Sequence, residues 1–167
     1  MDEQTFARVA QEYAARLYIV AYRLLSNRAD AQDAVQRALL KCFAARATYS
    51  ARWAISTWLY RALTNVCIDE LRRRRSRTAA MRASSEIAPR HAGAGTAGER
   101  VDVERALAKV PREARALLAL HYVNGLSFGE LARVRGISVN TVKSQLARGK
   151  AIMRAALESG GRPKSGR

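Results

Sequence analysis

The chain has 167 residues, of which 49% are apolar and 26% charged, a globular composition with room for one ordinary domain or two small ones. Thirty lysines and arginines face fourteen acids, and a net charge of +16 points to a polyanionic partner, nucleic acid ahead of an acidic membrane surface. No run of about 18 apolar residues exists to span a bilayer, and the acidic start Met1-Asp2-Glu3-Gln4 is no signal peptide, so a cytoplasmic protein is expected.

Phe6, Val9, Ala10, Tyr13, Leu17, Val20, Ala21 and Leu24 recur at steps of three and four, which predicts a first helix of about five turns. Ser26-Asn27-Arg28 interrupts it, and Asp30 is placed to cap a second helix whose stripe is Ala31, Val35, Ala38, Leu39 and Cys42. Residues 48–53 read as a loop. A third helix from about Ile55 buries Leu59, Ala62, Leu63 and Val66, then reaches Leu71 and four consecutive arginines, Arg72 to Arg75. From Ser76 to residue 100 the periodicity dissolves into Ser84-Ser85, Pro89 and a Gly/Ala stretch, which predicts a flexible linker.

A second block follows. Val103, Leu107 and Val110 share a helical face, Pro111 suits a helix start, and Leu117, Leu118 and Tyr122 lead to the turn pair Asn124-Gly125. Ser127-Phe128-Gly129-Glu130 has the spacing of a capping box. Gly136 ends that short helix and Ser138 caps the last one, which turns Val139, Val142, Leu146 and Met153 inward and Asn140, Thr141, Lys143, Ser144, Gln145 and Arg148 outward. No segment alternates as a strand does. The expected fold is all-α: a helical domain over 1–75, a linker over 76–100, a second helical domain over 101–159, and a disordered basic tail over 160–167.

Two short helices joined by a glycine turn, the second basic on its outer face, describe a helix-turn-helix, in which that second helix enters a major groove and reaches base edges. Charge placement agrees, since residues 133–167 carry nine basic side chains and one acid. In the first block Tyr49, Trp53, Trp58 and Tyr60 interleave with Arg46, Arg52 and Arg61. Aromatic faces stack on unpaired bases while arginines follow phosphates, although Trp58 reads better as packing. Arg61, Asn65, Asp69 and Arg72 form one polar stripe, and the Asn65 amide has both the donor and the acceptor needed to read a base edge. Cys42 and Cys67 are isolated and read as small buried hydrophobes, and with His91 and His121 also isolated no metal or cofactor is expected.

The segments Ala31-Gln32-Asp33-Ala34-Val35-Gln36, residues 58–65 and residues 136–144 resemble, in that order, motifs of the extracytoplasmic-function RNA polymerase sigma factors of the sigma-70 family. The resemblance covers nearly the whole chain and implies a region-two domain over 1–75 and a region-four domain over 101–159. It implies that Asp33, Gln36, Arg37 and Leu40 face the clamp coiled coil of the polymerase β′ subunit, and that Arg37 stands where the family usually has glutamate. It further implies that Tyr49, Arg52, Trp53, Arg61, Asn65, Asp69 and Arg72 serve the melted minus-ten element. Asn140, Thr141, Lys143, Ser144, Gln145 and Arg148 would serve the minus-thirty-five duplex, the linker would thread toward the active-site channel, and the partners would be core polymerase (β′ clamp and β flap), promoter DNA and an anti-sigma factor. A stand-alone helix-turn-helix regulator is the alternative. It requires a dimer interface or effector domain that residues 1–75 do not resemble. An enzyme is not expected: the close acidic pairs Asp30/Asp33 and Asp69/Glu70 read as caps or surface pairs, and Gly149-Lys150 lacks the other residues of a phosphate loop.

Overall fold

The Asp2 carboxylate starts the first helix by accepting from the Thr5 backbone N–H at 2.8 Å, which holds its carboxyl below the usual carboxylate range. The computed structural model describes residues 1–50, 52, 54–84 and 99–160. Helix α1 (Glu3–Leu25) is followed by α2 (Arg28–Ala44), a single 3-10 turn (Arg46–Thr48) and α3 (Ile55–Ser84). After the linker come α4 (Glu99–Lys109), α5 (Arg112–Asn124), α6 (Phe128–Arg135) and α7 (Val139–Gly160). Among the described residues there is no strand, and the fold is all-α.

The expected stripes of the first three helices meet as one core, with Leu17, Val20, Leu24, Leu59, Leu63 and Val66 essentially without solvent contact. Two features differ from expectation. The cap of α2 is Asn27, whose side chain accepts from the Asp30 N–H at 3.0 Å. Asp30 instead sits in the first turn, where it favours the positive helix end and pairs with Arg74. The linker also begins later than Ser76: α3 continues to Ser84, because arginine, alanine and methionine are strong helix formers. Most of the expected linker, together with His91 and the tail beyond Gly160, lies outside the described residues, and α4 begins at Glu99 rather than 101.

In the second block the middle of α5 is buried all round: Ala114, Ala116, Leu117, Leu118, Ala119 and Leu120 are all in the core. A helix apolar on every face needs cover on every side. Helix α7 supplies one side and α1 another, so the two blocks share a continuous apolar core rather than standing apart on their linker. Polar contacts cross the same seam. The half-buried Arg115 guanidinium donates to the Leu24 carbonyl near the end of α1 at 3.1 Å, and to the carbonyls of Ala108 and Val110 at 2.7 and 3.0 Å. Burial lowers its pKa, and the three carbonyls offset part of the cost of taking the cation out of water, while its Nε is enclosed without a partner.

Candidate nucleic-acid interface

The helix-turn-helix is built as its sequence specifies. The Ser127 hydroxyl accepts from the Glu130 N–H at 3.3 Å, while the Glu130 carboxylate accepts from the Ser127 N–H at 2.8 Å and from its hydroxyl at 2.7 Å. These bonds hold the Glu130 carboxyl below the usual range. Gly136 ends α6 at φ 66°, a left-handed conformation that a residue with a Cβ adopts only under strain. Two residues later the Ser138 hydroxyl accepts from the Thr141 N–H at 3.0 Å and starts α7.

On α7, Asn140, Lys143, Ser144 and Arg148 are exposed, whereas Val142 and Leu146 are buried against α5 and α6. Three residues depart from expectation. Val139 is 40% exposed because it sits in the first turn, ahead of the packed stripe. Thr141 is half-buried, with its hydroxyl 2.8 Å from that of Ser138. Gln145 is half-buried with its Oε1 enclosed and unpartnered, so the outward face is narrower than the spacing alone suggests. Gly149, which costs helix propensity, has a packing reason: a Cβ there would stand 3.0 Å from Leu118 Cδ1.

The aromatic and basic residues of the first block expected to serve a melted strand are only partly free. The rings of Tyr49 and Trp58 lie 5.0 Å apart, and Trp58 in turn packs edge-on to Phe6 at 6.4 Å, as a packing residue should. Arg46 is held by Glu3 at 2.7 Å and stacks 4.0 Å over the Phe43 ring, so it braces the domain. Arg52 is exposed, and Trp53 lies outside the described residues. Along α3, Arg61, Asn65 and Arg72 are exposed, and Asp69 is half-buried and pairs with Arg72 at 3.7 Å.

A residue of the second block reaches this stripe, one that no sequence motif singles out. Arg135, at the end of α6, donates from Nη1 to Asn65 Oδ1 at 2.8 Å and to the Thr64 hydroxyl at 3.1 Å, and from Nη2 to Glu113 at 2.7 Å. An open cleft of about 360 Å³ beside it is lined by Thr57, Trp58, Arg61, Ala62, Asn65 and Arg133. Nothing in the spacing of Arg135 marks it, because its partners lie 70 and 22 residues away.

Helix α2 presents a separate face. Asp33, Gln36 and Leu40 are exposed, Leu40 to 67%, an isolated large apolar side chain among charges. Arg37 is half-buried, donates to Asp33 at 3.3 Å, and lies 3.9 Å from Glu70. The same Glu70 accepts from Arg74 at 3.4 Å and Arg77 at 3.1 Å, so one shielded carboxylate gathers the arginines of α2 and α3. From sequence alone Glu70 reads only as half of an acidic surface pair.

Residues 9–77 match the family Sigma-70 region 2, and residues 100–153 match Sigma-70, region 4. The chain is 32% identical over 151 residues to the ECF RNA polymerase sigma factor SigM of Mycobacterium tuberculosis, covering 90% of this chain and 76% of the relative. It is 27% identical over 170 residues to SigW of Bacillus subtilis, covering 93% and 90%. Two solved structures share its fold with a TM-score of 0.73. They are the sigma factor RpoE of Bartonella quintana in complex with the anti-sigma factor NepR (22% identity, 93% of this chain and 98% of that one), and CnrH in complex with the cytosolic domain of CnrY (23%, 95% and 90%). With both sigma regions matched in order and a relative of known class aligned along most of its length, the chain belongs to the ECF RNA polymerase sigma factors of the sigma-70 family.

Proposed function

We propose that this sigma factor divides promoter recognition between its two units: α7 reads the minus-thirty-five element in duplex DNA, and α3 with the loop before it captures the melted minus-ten strand. The observation that carries the reading is the α7 face. Asn140, Lys143, Ser144 and Arg148 stand exposed on a helix held at a fixed angle by a capped glycine turn. An α-helix fits the major groove, and these side chains offer donors and acceptors to base edges and phosphates. Thr141 and Gln145 border that face. For the melted strand, Arg61, Asn65, Asp69 and Arg72 form the polar stripe, with Tyr49, Arg52 and Trp53 beside it.

We assign core docking to α2, with Asp33, Gln36, Arg37 and Leu40 on the β′ clamp coiled coil; an apolar side chain as exposed as Leu40 is accounted for by a partner that covers it. The β flap is assigned to a groove of about 650 Å³ lined by Val103, Leu107, Leu118, Tyr122, Met153 and Leu157, in which Tyr122 is 63% exposed. An anti-sigma factor is proposed as a further partner, in keeping with the two solved complexes.

Lys143→Glu and Arg148→Glu test the reading in promoter binding by reconstituted holoenzyme. Both should weaken promoter binding while leaving affinity for core polymerase unchanged. Removing a side chain that reads a base should cost about 1–3 kcal/mol and relax one promoter position, whereas removing one that holds a phosphate should flatten the salt dependence. Unaltered promoter binding in both variants would remove α7 from the account.

A further inference from the structure

The distal half of α3 carries a second polar face, one that promoter recognition as proposed does not use. At about 100° per residue, Glu70, Arg73 and Arg77 lie roughly a quarter turn or more around the helix from Asn65, on the side toward α2. Between the two helices an open cleft of about 680 Å³ is lined by Arg37, Glu70, Arg72, Arg73, Ser76 and Arg77. Its ion pairs do not balance. Asp30 is taken by Arg74, Asp33 by Arg37 at 3.3 Å, and Asp69 by Arg72 at 3.7 Å. Arg73 and Arg77 are left with Glu70, which also accepts from Arg74 at 3.4 Å and lies 3.9 Å from Arg37. Glu70 accepts from Arg77 at 3.1 Å, but Arg73 stands 3.9 Å away, beyond hydrogen-bond reach. Four guanidiniums therefore converge on one carboxylate. The Glu70 side chain is 17% exposed, whereas Arg73 and Arg77 are 60% and 68% exposed and open to a ligand.

We propose that this cleft is a binding site for a small diphosphate-bearing anion, and that Glu70 is its internal stand-in, displaced when the anion binds. Arg73 precedes Ser76 by three residues and Arg77 by four, so two guanidinium forks and a hydroxyl share one helical face, and Arg37 closes the cleft from α2. A guanidinium fork meets two phosphoryl oxygens at once, in bonds shorter and stronger than neutral ones. A carboxylate has two oxygens, too few for four guanidiniums, whereas a diphosphate spreads more oxygens over two centres. Arg37 belongs both to the cleft and to the docking face assigned to α2, so an occupied cleft draws it from Asp33 and reaches core binding by that route. The site itself does not depend on the docking assignment.

Isothermal titration calorimetry of the full-length chain with sodium diphosphate, at about 0.15 M salt and without divalent metal, tests the site. Saturable one-to-one binding is expected, tighter than that of orthophosphate. Arg73→Ala and Arg77→Ala, each removing one exposed side chain, should weaken it about tenfold. Glu70→Gln should tighten it about tenfold, because the anion no longer has to displace a carboxylate. On general electrostatics, by contrast, equal charge changes anywhere on a chain of net charge +16 would act alike. Arg8→Ala and Glu12→Gln make the same charge changes at exposed positions of α1, about 20 Å or more along that helix from the Leu25 carbonyl that Arg74 holds. At that distance salt screens them, and they should shift affinity less than about twofold. Circular dichroism checks each variant, and if Glu70→Gln loses helix the two arginine variants decide alone. Absence of saturable binding, or equal losses in Arg77→Ala and Arg8→Ala, would overturn the site. So would a folded Glu70→Gln protein that binds no tighter than Glu12→Gln. If diphosphate does not bind while Arg73→Ala and Arg77→Ala weaken binding of duplex DNA, the arginines serve a nucleic-acid backbone and the proposal fails.

Discussion

Replacing Gly149 by alanine sets two effects of similar size against each other. In a helix interior the change should stabilise by about 1 kcal/mol, because glycine loses more backbone freedom on folding. The added methyl, however, would stand 3.0 Å from Leu118 Cδ1, 3.3 Å from Ala114 Cβ and 3.4 Å from Val110 Cγ1, against the 3.5–4.0 Å or so at which carbons rest comfortably. All three neighbours are at most 4% exposed, so none can swing into solvent to make room. Overpacking of this kind costs about 1–3 kcal/mol. The expected net is a loss of about 1 kcal/mol, or a drop of about 2–4 °C in Tm for a chain of this size. Urea unfolding followed by circular dichroism measures it. A stabilised Gly149→Ala protein would show that helix propensity outweighs the crowding, and that α5 and α7 are less tightly apposed than these distances imply.

Arg37→Glu removes the ion pair with Asp33 and places like charges four residues apart, which should lower stability by about 0.5–1 kcal/mol. The same change frees Asp33 for a partner's cation, so titration with core polymerase should show tighter binding; equal or weaker binding would refute the competition. Burial pushes the Cys42 thiol up to about 11 and the Cys67 thiol up to about 12, so at pH 8 a disulfide reagent should label neither until urea unfolds the chain. Fast labelling of the native protein would contradict the packing of α2 on α3. Glu130 has a lowered folded pKa, so its stabilisation is complete above the ordinary carboxylate value and is lost as pH falls through the folded one. The stability gap between the parent and Glu130→Ala should therefore be full at pH 7 and shrink below about pH 4.5; a gap that does not change with pH would show that the capping box works without the charge.

The features legible in the sequence are local ones. The capping box at Ser127, the stop at Gly136 and the stripes that meet at Leu24 and Leu63 each depend on residues within a few positions of one another, and spacing reveals them. The helical run past Arg75 escapes such a reading because four arginines look like an ending, although arginine favours helix. Arg135 and Glu70 escape it for a different reason. Each owes its role to partners on another helix, which periodicity cannot show, and a charged residue on a predicted outer face looks solvated until tertiary packing covers it. The unbroken apolar run from Leu117 to Leu120 holds a clue, because a helix buried on every side requires a second neighbour and α1 is that neighbour.

On the proposed reading, α3 captures a base from a strand that the duplex does not otherwise release. Extruding a base costs a few kcal/mol of stacking, and an aromatic stack returns about 1–3 kcal/mol, so the edge contacts of Asn65 are needed to tip the balance. Permanganate footprinting of holoenzyme carrying Asn65→Ala, on a matched promoter and on one mismatched across the minus-ten region, measures that contribution directly. The expected result is retained promoter binding, loss of opening on the matched template, and recovery of much of the signal on the mismatched one. Opening of the matched promoter by the variant as fully as by the parent would contradict it.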